Sequence, residues 1–495
     1  MKISNNKSQI SNSLKSPKQG NSFPLIFWHK PSLSGNLSSF ILYLFLIFNL
    51  SSFIFNSCSN ESTNPRTLTF SGTVSLEGET NYSGVKVSLY ELIELDSTLA
   101  EINQRYPGVG VLIDQETEFD PRQNTPAYST ITDGLGNWRI EDVPVGSYNV
   151  VAEKDSFGWQ IAYEENSSRK IVFNLKKIKT YTGNQAGLIQ FQDDFINVPA
   201  NTTFDVNSQV FFLGRNYMDL SNGADIHFRG VIGEDADTRI YFINLSPDTT
   251  STIDFDQLPS LQLTGIYTTP GIRIRISNSE FILSGSIIRG NITDACRISQ
   301  SDGLLENNIF RGNGSAVTIS ETYQTVVRMN IFLKNNRDLG IFAADSILIE
   351  DNLFRDGEVN LSLIRTNGLV QYNNFEQSGQ NIELAELSNL EISYNSMIFS
   401  DNNLRLNRRG DLDNAIDLIS SMNNFVATGF FAFYLEDLSV SVPVLAKNNF
   451  WDTHIKNEIE EKIFDKYDDP GYNVDQYVIF EPFIIFGIDD AGIRK

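Results

Sequence analysis

A recurring interval constrains this chain more than any other feature. Seven segments, LLENNIF, VVRMNIF, ILIEDNLF, LVQYNNF, LEISYNSM, SSMNNF and VLAKNNFW, align on an Asn. These are Asn308, Asn330, Asn352, Asn374, Asn395, Asn424 and Asn449, spaced by 22, 22, 22, 21, 29 and 25 residues. Between them lie short β-rich runs split by Asn, Gly, Asp and Ser, with no helical periodicity. Units of this kind bury their apolar faces only by stacking on one another. Three short strands and three turns fit one unit, so the expected fold is all-β, a right-handed parallel β-helix rising about 4.8 Å per coil. An Asn at one corner tolerates the left-handed region and hydrogen-bonds the Asn above and below it. Five and three residues before that Asn stand Ile347 and Ile349, Leu390 and Ile392, Val444 and Ala446, expected to point inward. Two residues before it stand Glu306, Arg328 and Glu350, an outward column of alternating sign.

The Asn-Asn-aromatic recurrence resembles the pectin-lyase-like β-helix proteins. The resemblance covers about 186–483, with a β-helix over 186–452 and a cap over 453–495. In the cap, Ile455, Ile459 and Ile463 form one helical stripe. The scaffold hosts lyases, hydrolases, adhesins and inert binders, so it does not fix an activity. Lyases on it use Ca²⁺-holding carboxylates beside an Arg or Lys base. The nearest set here is Arg311, Arg337, Asp338, Arg355, Asp356 and Glu358. Asp356 lies four residues after its Asn and Asp338 eight after, so the set reads as a solvated turn edge first and a catalytic edge second. Hydrolases need paired Asp, and Asp225, Asp235, Asp237 and Asp294 are scattered. His227 and His454 read as surface or core residues. Phe430, Phe431, Phe433 and Tyr434 read as packing before a sugar platform. Arg409-Gly410-Asp411 matches the integrin-binding tripeptide, a weak signal at three residues.

Upstream, 68–175 alternates apolar and polar residues with Gly punctuation. Thr132, Asp133, Gly136 and Trp138, followed by Val143, Pro144, Gly146 and Tyr148, resemble the carboxypeptidase regulatory-like family. That resemblance implies a seven-stranded, transthyretin-like sandwich without catalytic function. The excursion 91–127 carries Glu91, Glu94, Asp96, Glu101, Asp114, Glu116, Glu118 and Asp120. It reads as a solvated loop in preference to a cation site, because EF-hand spacing is missing. Residues 156–185 read as the last sandwich strand, at Ile171-Val172-Phe173, plus connecting chain, with 176–185 a linker.

Phe40 to Phe55 is an uncharged apolar run that ends just before Ser57-Cys58. This is similar to the lipobox of bacterial lipoproteins. The resemblance implies a signal peptide over 1–57, acylation of Cys58, a tether over 58–67 and an outer-membrane, periplasmic or surface-exposed location. The chain carries a formal charge of −23, with 38 basic and 61 acidic residues, which disfavours nucleic acid as a partner. Three His and two Cys give no Cys/His zinc site and no disulfide framework. The expectation is a lipid-anchored, monomeric envelope protein whose β-helix binds a glycan or an envelope partner, with no cofactor. The alternative is a polysaccharide lyase or glycoside hydrolase, the lyase with Ca²⁺.

Overall fold

The computed structural model describes residues 66–234, 238–246, 248–291, 293–386, 388–407, 417–436, 443–468 and 477–494. Residues 1–57, read above as a signal peptide, and Cys58, Asp235, Asp237 and Arg409-Gly410-Asp411 lie outside them.

Two packed sheets come first. One joins β1 (Thr67–Leu76) to β4 (Asn137–Pro144) and β7 (Ile171–Leu175). The other runs β3 (Tyr128–Ile131), β2 (Lys86–Glu91), β5 (Tyr148–Lys154), β6 (Gly158–Glu165). The Asp133 carboxylate accepts from the Leu135 and Asn137 amides, which shapes the turn into Trp138. Strand β6 was hidden in the sequence by its mixed composition. It pairs antiparallel with β5 where a connection was expected. The linker read over 176–185 is also structured, because Lys179–Thr180 and Gly183–Gln185 already pair with the next coil.

From there the chain winds as a parallel β-helix with three faces. Twelve parallel strands, from Lys179–Thr180 to Asn424–Val426, stack into a short-strand face. A second and a third face follow it in each coil, as in Ser315–Ser320 and Thr322–Arg328, with Glu321 between them at φ 56°. Phe310, Phe332, Phe354 and Phe375 stack inside at 5.2, 4.8 and 4.8 Å, so each coil is pinned to the next by an aromatic face.

The buried Asn ladder runs Asn308, Asn330, Asn352, Asn373, Asn395, Asn423, Asn449. Each Nδ2 donates to the next Oδ1 at 2.9–3.0 Å. Asn374 and Asn424 therefore do not belong to it. The inward aromatic sits two residues after the ladder Asn, so in Asn373-Asn374-Phe375 the second Asn must face outward. The left-handed residue is also not the ladder Asn. It is the one before it: Asn307, Met329, Asp351, Tyr372, Tyr394, Met422 and Asn448. Glu306, Arg328 and Glu350 stack in register, with Arg328 bonded to Glu306 at 2.8 Å and Glu350 held by Arg494 at 2.8 Å.

The C-terminal end differs from the expected helical cap. Among the described residues of this region, only Lys456–Glu460 is helical. Ile459 is fully buried, Ile455 is exposed, and Ile463 is back in a strand paired with Phe433. The chain makes another partial coil, and residues 484–494 then run back over the short-strand face. Asn424 and Ile488 bond reciprocally at 2.9 Å, and the Ile493 amide donates to Asn374.

Candidate functional site

The excursion 91–127 is folded, contrary to the solvated-loop reading. Asp96 caps a helix over Ser97–Arg105 by accepting from the Thr98 and Leu99 amides, and Asp114 closes a capping box with Thr117. Leu99, Ile102, Tyr106, Val109 and Ile113 are buried against Ile287, Ile309, Ile331 and Leu353, the outward residues of the short-strand face. Each such aliphatic side chain withdrawn from water contributes about 1.5–3 kcal/mol. Gly110, at φ 67°, donates to the Met329 carbonyl and comes so close that a Cβ would lie 2.5 Å from the Ile331 Cδ1.

The acids of the excursion explain the arginines. Arg289, Arg311 and Arg355 share one outward column with Leu333 and Glu376. Glu118 bridges Arg289 at 3.2 Å and Arg311 at 2.5 Å, Asp96 lies 3.7 Å from Arg311, and Glu101 lies 3.9 Å from Arg355. Burial pushes Arg289 below its ordinary range, opposed by the Glu118 charge. Arg311 and Arg355 thus hold the excursion down. Asp356 is a left-handed turn residue, Glu358 is exposed, and Arg337 opens a second-face strand. Arg355 lies 3.9 Å from Asp356, and Asp356 acts on Asp338, but the six candidates do not gather as one site.

Asp338 has a different place. A second ladder, Asn291–Asn313–Asn335, ends on its Oδ1 at 2.7 Å, and another, Asn360–Asn381–Asn403, begins one coil on. Asp338 is fully buried, and its Oδ2 and the Asn360 Oδ1 have no partner. Burial first, and the Asp356 charge second, push this carboxyl well above its usual range. A neutral Asp338 supplies the donor that these two oxygens lack.

The second face carries the remaining chemistry. Its outward column runs Asp205, His227, Asp254, Arg275, Arg297, Thr318, Gly340, Ser362. His227 Nδ1 lies 2.9 Å from Asp205 Oδ1, which leaves Nε2 as the acceptor when the ring is neutral. Burial raises Asp254, partly offset by His227 and Arg275. Arg275 and Arg297 are exposed, directly opposite each other, and have no carboxylate within salt-bridge reach among the described residues. Like charges stacked this way repel unless an anion sits on them. The sequence reading missed the column because the Asn repeat is missing upstream of Asn308. The signal was the spacing of Asp205, His227 and Asp254, 22 and 27 residues apart.

Register, ladder and faces define a three-faced parallel β-helix. A family model described as "Periplasmic copper-binding protein (NosD)" matches residues 266–389, under half of the chain. No curated protein matches. The solved structure of a Yersinia enterocolitica family 28 exopolygalacturonase is similar over 73% of this chain and 87% of its own. At 9% identity and a TM-score of 0.24 that likeness carries no argument, and the fold rests on the strand register.

Proposed function

We propose that this is an exported envelope protein whose β-helix binds an anionic polysaccharide along its second face. The observation that carries this reading is the stacked Arg275–Arg297 pair, exposed and without a salt bridge among the described residues, on a chain of charge −23. One coil rung apart, the two guanidiniums match carboxylates or sulfates repeating along a glycan. The half-buried Thr318 is the next residue of the same column, beyond which Gly340 and Ser362 are buried. Export is supported by the apolar run ahead of Cys58 and by the periplasmic description of the matching family. Lipid anchoring at Cys58 belongs to the proposal. Copper does not. The matching segment holds no His, one Met and one Cys, and that Cys296 is fully buried with its thiol pushed up to about 12 by burial. Among the described residues, no three His, Cys, Asp or Glu side chains gather as a metal site.

The test is affinity for polygalacturonate, alginate and hyaluronate against neutral dextran. Arg275→Ala/Arg297→Ala should weaken the anionic ligands at least tenfold, and salt should weaken the native protein likewise. Equal binding to dextran, or no effect of the double substitution, would sink the reading.

A hydrolytic second reading has one observation behind it. Asp205 and Asp254 flank His227 across two rungs, about 9.6 Å. That is near the upper end of the roughly 6.5–9.5 Å used by inverting glycosidases. The raised carboxyl of Asp254 suits a general acid. Release of reducing ends that vanishes in Asp254→Asn would establish it, and no release would leave binding alone.

A further inference from the structure

The junction of sandwich and β-helix holds a pocket of about 220 Å³, remote from the second-face column. Its walls are Trp159 and Gln160 of β6, Asn174 of β7, and Asp193, Phe195 and Tyr217 of the first coils. The aromatic residues are arranged. Phe195 stacks on Tyr217 at 5.3 Å, and Trp159 meets Phe195 edge-on at 4.4 Å. Gly158 permits this, since a Cβ there would come within 2.5 Å of the Phe195 ring.

The polar groups are disposed for a ligand rich in hydroxyls. The charges of Lys176 and Arg215 at the rim are answered by Asp194 at 3.6 Å and Glu116 at 2.8 Å. Among the described residues Asp193 has no salt-bridge partner, and its Oδ1 accepts from the Arg215 amide at 3.0 Å. The Gln160 and Asn174 side-chain oxygens accept from the Asn174 amide at 2.7 Å and the Ser75 hydroxyl at 2.5 Å, which leaves their NH2 groups as donors in the pocket wall. Amide donors and a carboxylate beside the partly exposed Trp159 indole are what a sugar ring satisfies, with its apolar face on that ring and its hydroxyls on the polar groups. At this size the pocket takes one ring, where sites for larger ligands run to about 300–1,000 Å³.

We infer that this junction pocket is a monosaccharide site, holding a single pyranose residue, separate from the polysaccharide track. The readout is intrinsic. Of the four tryptophans, Trp28 lies outside the described residues, Trp138 and Trp451 are buried in their cores, and Trp159 is partly exposed, so a ligand here perturbs its fluorescence. Full-length protein in a detergent without sugar headgroups is titrated with methyl glycosides of glucose, galactose, N-acetylglucosamine and glucuronate. A saturable signal with at least one of them, at millimolar Kd, is expected. Trp159→Phe should abolish the signal. Asp193→Asn, an isosteric change at an exposed position, should weaken the affinity at least tenfold with an unchanged Tm. Arg275→Ala/Arg297→Ala should leave the signal intact, which separates this site from the second face. Absence of saturation with every glycoside up to tens of millimolar overturns the inference, as does wild-type affinity in Asp193→Asn.

Discussion

Replacing Asn352 by Ala tests the ladder most directly. Its Nδ2 donates to the Val327 carbonyl at 2.9 Å, the Glu350 carbonyl at 3.0 Å and Asn373 Oδ1 at 2.9 Å. Its Oδ1 accepts from the Asn330 amide at 3.0 Å and from Asn330 Nδ2 at 2.9 Å. All of this lies in a site closed to water, so the stranded partners find no replacement. The two Nδ2 hydrogens serve three acceptors, so about four bonds at about 1 kcal/mol net each, and a further cost for the orphaned Asn330 amide, put the loss at about 4–6 kcal/mol. Asn374→Ala is the internal comparison. It sits one residue outside the ladder and bonds only Tyr106 and Ile493, so it should cost about 1–2 kcal/mol. Urea titrations followed by circular dichroism give both values as shifts in midpoint at constant slope. A loss at Asn374 equal to or above that at Asn352 would refute the register drawn through Asn373.

Three further outcomes follow from the excursion and the buried acid. Glu118→Ala leaves Arg289 and Arg311 without their shared carboxylate and should cost about 3 kcal/mol, with faster proteolytic nicking between residues 91 and 127. Gly110→Ala places a methyl against Ile331 at a left-handed position, and should lower Tm while leaving the far-UV spectrum unchanged. The raised Asp338 carboxyl makes the native state hold a proton that the unfolded chain releases near pH 4. Its stabilisation is therefore complete below that pH and drains away as pH rises toward the native value. Asp338→Asn removes this slope, so its Tm relative to wild type should improve between pH 5 and pH 8, and a constant difference would contradict a neutral Asp338.

The sequence disclosed what repeats and hid what does not. Intervals of 22 between Asn308, Asn330 and Asn352 reflect a coil that adds the same residues per turn, so the β-helix is legible without a structure. At Asn373-Asn374 and Asn423-Asn424 the doubled Asn left the register ambiguous by one, and only the inward aromatic two residues after the ladder resolves it. The excursion 91–127 was opaque for another reason. Its acids meet arginines about 100 to 250 residues away, as with Glu116 and Arg215 or Glu101 and Arg355, and local patterning carries no record of such partners. The second-face column escaped because Asp205, His227 and Asp254 fall in coils that lack the Asn marker.

A stack of coils touching only their neighbours behaves as a one-dimensional chain, free to fray from either end. The excursion changes that dimensionality. It contacts the short-strand face from Arg215, through Glu116, to Asn374, through Tyr106, and so spans eight consecutive strands. Opening any coil beneath it breaks contacts shared with coils many rungs away. The penalty for a local breach is then spread over the whole stretch, and these coils should melt as a block, where an unstrapped solenoid would unzip rung by rung.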